Sequence, residues 1–120
     1  MAEQTAAVEL EAYELVFLRR PRDAPDYDDE TLDRIQAAHL AYLGSLHESG
    51  HIVTNGPVLE QADESLRGLV VYRVGSLDEA RRLAEQDPAV EAGRLAVDVM
   101  LWWCPAGSMT RSGTPVDLAE

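Results

Sequence analysis

His39 is the residue whose placement most invites chemistry. At about 100° per residue on a helix, Leu32, Ile35, Leu43 and Leu46 all fall within about 40° of it. An imidazole therefore sits in the middle of an apolar stripe that should face a core. Either a partner satisfies it there or it moves protons, since histidine titrates near neutrality. His47 lies about 80° from His39 on the same wheel, flanking the stripe where a site would open. Tyr42 lies at about −60°, placed either to touch a ligand or to pack. Eight residues separate His39 from His47, about 12 Å along the axis, too far to share one zinc, so no metal is expected. His51 opens a short strand and is expected at the surface.

Other chemistries find little footing. The ten basic residues are all arginine, so no lysine exists for Schiff-base formation. No phosphate-cradling glycine loop and no serine nucleophile elbow is present, and no cofactor is implied. The one cysteine, Cys104, follows Trp102 and Trp103 and reads as a small hydrophobe at a strand end. It rules out an internal disulfide and fits a cytoplasmic chain.

The elements that must carry His39 follow from periodicity and punctuation. Ala12–Arg19 alternates as a strand, with Tyr13, Leu15 and Phe17 on one face and Glu14, Val16 and Leu18 on the other. Residues 20–29, rich in proline and aspartate, form a loop whose acids can cap the next helix. That helix runs over residues 30–49 and stops at Gly50. Gly44 inside it either costs up to about 1 kcal/mol or permits a close approach. His51–Thr54 is a short strand, and Asn55-Gly56-Pro57 punctuates it as a turn whose backbone N–H groups can line a pocket mouth. Residues 66–74 form a third strand. Ser76 with Glu79 has the capping-box pattern and opens a helix over 77–86. Asp87-Pro88 reads as N-cap and first helical residue of a short helix closing at Gly93. Leu95–Trp103 is the last strand.

Two right-handed split units in this order give an α+β, ferredoxin-like βαββαβ fold: a four-stranded antiparallel sheet with both helices on one face. The last strand has a fully apolar face (Leu95, Val97, Val99, Leu101, Trp103) and a second face of Ala96, Asp98, Met100 and Trp102. Helices can cover only one face, so the other is expected to pair with a second copy, a dimeric α/β barrel. In that arrangement Asp98 lines either a shared cavity or the interface. The folded domain is expected over 12–104, with a loose extension at 1–11 and a mobile tail at 105–120.

Composition narrows the partners. A net charge of −12 repels phosphate backbones, so nucleic acid is not expected. No apolar run approaches the roughly 18 residues of a membrane span. The N-terminus lacks a basic segment followed by an apolar one, so no signal peptide is read there.

The block HLAYLGSLHESGHIVTNGP, then the S-L-D-E-A helix, DPAVEAG and a valine- and tryptophan-bearing final strand, resembles YciI-like proteins, the YCII-related domain. The similarity spans roughly residues 13–104. It implies a dimeric ferredoxin-like barrel and an active site built from His39 and the Asp87 of the Asp-Pro pair. It also implies a pocket-lining role for the Gly56-Pro57 turn. A carboxylate on one ring nitrogen would fix the histidine tautomer and leave the other as base. One such relative is a dehydrochlorinase of a chlorinated hydroxylated aromatic, and muconolactone isomerases share the barrel. The expectation is a small cofactor-free enzyme performing elimination, isomerisation or dehydrohalogenation, with His39 and Asp87 catalytic and His47, Tyr42, Gly56 and Pro57 at the substrate. The competing expectation is a non-catalytic dimer that holds a small ligand or a partner protein.

Overall fold

The computed structural model describes residues 8–110. Residues 1–7 of the expected extension and 111–120 of the expected tail lie outside them. The elements run β1 (Leu10–Arg19), α1 (Asp29–Glu48), β2 (Ile52–Pro57), β3 (Leu66–Tyr72), α2 (Leu77–Glu85), α3 (Pro88–Glu91) and β4 (Ala96–Pro105), then a 3-10 turn at Ser108–Thr110. The strands form one sheet in the order β2-β3-β1-β4, with every neighbouring pair antiparallel. This is the ferredoxin-like arrangement. No helix of the described residues is long and apolar enough to cross a membrane.

One face of the sheet carries Val16 and Leu18 of β1, Ile52 of β2, and Val70 and Tyr72 of β3. These close a core with Leu43 and Leu46 of α1 and with Ala80, Leu83, Ala84 and Ala89 of the second helical pair. Side chains fix the helix ends. Asp28 caps α1 by accepting from the Thr31 N–H at 2.9 Å. At the other end Gly50 takes φ +84°. Its N–H donates to the His47 carbonyl, and the His51 N–H donates to the Leu46 carbonyl. That pair of bonds is the Schellman stop that a left-handed glycine allows. Ser76 caps α2 through the Glu79 N–H at 3.1 Å. The Glu79 carboxylate turns to Arg82 instead of completing the box.

Three expectations shift. Asn55-Gly56-Pro57 is not a turn. These residues pair with Val70, Leu69 and Gly68 as the last ladder positions of β2. Pro57 is tolerated because β2 is an edge strand and this is its final residue. The third strand ends at Tyr72, because the buried Glu14 carboxylate takes the N–H groups of Val74 and Gly75, at 2.8 and 3.4 Å, in place of a ladder partner. Gly44 permits no close approach, since a Cβ there would meet nothing within 4 Å.

The apolar face of the last strand is only partly covered. Leu95, Val97 and Val99 pack on the core, whereas Leu101 and Trp103 are 52% and 64% exposed. β1 and β4 outrun β3: Leu10–Tyr13 pair with Trp102–Pro105 alone, as a two-stranded arm that the helical layer does not reach. On the opposite sheet face Tyr13, Val71 and Cys104 form a small second cluster, with Leu15, Val53 and Met109 against it.

Candidate active site

The site begins with a cap. Asp87 precedes Pro88, and one carboxylate oxygen, Oδ1, accepts from the Ala89 N–H at 2.9 Å. A carboxylate has capacity beyond one bond. Its second oxygen, Oδ2, lies 2.7 Å from Nδ1 of His39, across from α3 on α1. Both groups are buried, His39 at 9% and Asp87 at 2% exposure. The stripe of α1 carries the imidazole inward, and the N-cap of α3 meets it there. The pairing fixes proton placement: in a neutral imidazole, Nδ1–H donates to the carboxylate and Nε2 keeps its lone pair.

His39 also lines a cleft of about 300 Å³. Its walls come from Gln36, Leu40 and Leu43 of α1, the end of β1 at Leu18 and Arg20, Asn55–Pro57 of β2, Arg67–Leu69 of β3, and Leu95. Nε2 has no hydrogen-bond partner among the described residues. No buried side-chain nitrogen or oxygen there is left without one, so Nε2 opens onto the cleft. The floor is tight at Gly68. A Cβ at that position would sit 3.0 Å from the Gly56 carbonyl and 3.6 Å from Leu18. A side chain at Gly68 would press on the β2 backbone and require it to shift.

On the other face of the sheet lies a larger cavity of about 670 Å³, walled by Leu15, Phe17, Val71, Trp102 and Met109 among others. It shares Asn55, Gly56, Pro57 and Leu69 with the His39 cleft, so the end of β2 and Leu69 stand between the two spaces. Among the described residues no titratable side chain lines the larger cavity, whereas His39 lines the smaller one.

The remaining expected site residues divide. Gly56 and Pro57 line the cleft, as strand rather than turn residues. Tyr42 does not line it. Its hydroxyl donates to the Leu83 carbonyl at 2.6 Å, tying α1 to α2. Burial, and secondarily the Asp87 charge, holds that phenol above its ordinary pKa. His47 is exposed in the last turn of α1 and lines neither cavity. His51 is half-buried, with Nδ1 2.5 Å from the Ser49 hydroxyl. Asp98 lines neither cavity and is ion-paired with Arg19 at 2.5 Å on the open face of the sheet.

Arg20, Arg67 and Gly68 join the cleft without a sequence signal, because strand ends meet through register and bulges that no spacing encodes; Gln36, on α1 about 60° from His39, is the one that the helix period could have found. The loop between β1 and α1 does more than lead into the helix. It also straps the segment after α3: Tyr27 donates to the Ala92 carbonyl at 2.8 Å, and Arg94 donates to the Pro25 carbonyl at 2.9 Å. The loop thereby backs the short helix that presents Asp87.

Fold and geometry together define a ferredoxin-like α+β domain with a buried histidine–carboxylate pair at the wall of a cleft. Residues 15–103 match the YCII-related domain, and the chain belongs to that family. The fold is shared with the 5-chloro-2-hydroxyhydroquinone dehydrochlorinase of Burkholderia phenoliruptrix, solved in complex with 2,5-dihydroxybenzoquinone. That likeness has a TM-score of 0.53 and 23% identity, over 75% of this chain and 90% of that one. No curated protein matches the chain.

Proposed function

We propose that this chain is a small enzyme that moves a proton on an organic substrate, of the lyase, isomerase or dehydrohalogenase type. The observation that carries the reading is the 2.7 Å contact between His39 Nδ1 and Asp87 Oδ2 beside an open cleft. Nε2 is the general base. Asp87 acts through the ring, holding its tautomer and angle. In a dehydrochlorination, Nε2 removes a proton from an activated carbon or hydroxyl. That electron pair forms the new double bond, and chloride leaves with the C–Cl pair. His39 then passes the proton to water.

The substrate named for the dehydrochlorinase neighbour points the panel to aromatic compounds of hydroquinone type. The test is chloride release from a panel of chlorinated hydroquinones and hydroxyhydroquinones, with wild type against His39→Asn. Loss of a positioned base lowers kcat by about 10²–10⁴-fold. Turnover unchanged in His39→Asn would sink the reading.

A second reading, a non-catalytic ligand-holding dimer, is favoured by the apolar cavity on the open sheet face, which lacks titratable groups. Under it, a ligand found by thermal shift would bind equally well to His39→Asn, and no member of the panel would turn over. In either reading we propose self-association through this sheet face and the exposed β1–β4 arm.

A further inference from the structure

The charge of the His39 cleft runs against that of the chain. The sequence carries 22 acidic residues against 10 arginines, yet among the described residues no Asp or Glu lines the cleft and two arginines do, Arg20 and Arg67. The only nearby acid the site uses, Asp87, stands behind the ring and is committed to His39 and Ala89.

Neither arginine has an ion-pair partner among the described residues. Next in the chain, Arg19 shows what a paired arginine looks like here: it bonds Asp98 at 2.5 Å and Asp63 at 3.2 Å. Arg20 instead spends one side-chain donor, Nε, on the Arg94 carbonyl at 2.7 Å. Arg67 spends one, Nη1, on the Glu64 carbonyl at 3.1 Å. Each guanidinium has five N–H donors, so most remain uncommitted among the described residues. Burial first, then the cations of Arg94 and Arg67, hold the Arg20 pKa below its ordinary value. Asp33 lines the adjoining groove with Arg20 and Arg94, and Glu60 and Glu64 flank Arg67, but none of them forms an ion pair with these arginines among the described residues, so an anion in the cleft would find cations still to be offset.

We propose that the His39 cleft takes a delocalised oxyanion, a carboxylate or an acidic enol or phenol, held by the guanidinium groups of Arg20 and Arg67 with its reacting atom at His39 Nε2. This rests on the proton-transfer reading and adds its substrate class. Planar guanidinium forks match planar oxyanions in geometry as well as charge. They also supply what a base facing an anion needs, because the charge that develops as the proton leaves spreads toward fixed cations. A net charge of −12 repels anions at a distance, so selectivity must come from this local pair.

The test compares salicylate with salicylamide, a neutral analogue of similar shape, near neutral pH, reading the His39 ring resonance and the Kd by NMR titration. Salicylate is expected to bind at least ten-fold more tightly and to shift the His39 signal. Arg20→Gln and Arg67→Gln should each weaken it several-fold, with binding partly restored by lysine at the same position. Arg81→Gln removes the same charge from an exposed position on α2 outside the cleft, and should leave binding unchanged. Arg67 is exposed, so its variant keeps the test open if Arg20→Gln fails to fold. Equal binding of the two probes, no binding of salicylate at millimolar concentration, or full binding in the folded glutamine variants would overturn the proposal. The underlying reading fails separately: salicylate would then bind through the arginines in a protein that turns over no substrate.

Discussion

At the residue scale, His39 gains its meaning from where its two nitrogens go. One is tied to Asp87 and the other opens on the cleft. The neighbouring phenols are excluded from acid–base work near neutrality. Burial drives the Tyr72 hydroxyl far above its ordinary pKa, with Tyr42 and the Asp87 charge adding to it. A pKa raised on folding contributes stability that is present below the unfolded value and lost as pH rises above it. The window therefore opens at about pH 10, the ordinary tyrosine value. Above it, urea titrations should show wild-type stability falling at up to about 1.4 kcal/mol per pH unit for this one group. Tyr72→Phe should fall less steeply; identical slopes would remove Tyr72 from the account. The inward direction of His39 was legible in the sequence, since a 3.6-residue period states an azimuth. What stands at that azimuth was not. The wheel placed Tyr42 and His47 equally well, yet one packs on α2 and the other faces solvent.

At the element scale, the site is a by-product of how segments start and stop. Asp87-Pro88 was legible as the opening of a short helix, because proline at the first turn and aspartate before it satisfy the same orphan N–H groups in any protein. That the spare carboxylate oxygen reaches α1 depends on how the two helices pack, and only the resemblance to a family pointed to it. Strand order and type were legible from alternation and turns. Boundaries moved where a side chain replaced the ladder, as Glu14 does at the end of β3, or where an edge position tolerated proline, as at Pro57. Arg20 and Arg67 were illegible for the same reason. They line one cleft where the β1–β3 register shifts: Leu18 pairs with Gly68 and Arg19 with Leu66, so Arg67 is the extra residue on β3, and no periodicity predicts a bulge.

At the scale of the whole molecule, one layer of helices covers one face of the sheet and leaves the other to be completed. The open face holds the apolar cavity, and the arm beyond it exposes Leu10, Leu101, Trp102 and Trp103. This exposed apolar surface is where the proposed second copy would pack. Light scattering at micromolar concentration should give twice the 13.2 kDa of one chain, and Trp103→Glu should shift it toward the monomer; a monomeric wild type would contradict the proposed dimer. Completion of the barrel would enclose the wall that the two cavities share, but the chemistry stands on the pair behind it. The central claim is that Asp87 sets His39 as a base at Nε2, and the most direct measurement is the ring tautomer by ¹⁵N NMR in wild type and Asp87→Asn. Asparagine still caps α3, and the Ala89 N–H requires its carbonyl oxygen there, which turns the amide NH₂ toward Nδ1. Neutral wild-type His39 is expected to be protonated at Nδ1, and the variant to keep a nearly unchanged Tm with the proton moved to Nε2. A wild-type ring already protonated at Nε2, or a tautomer that ignores the substitution, would contradict the claim.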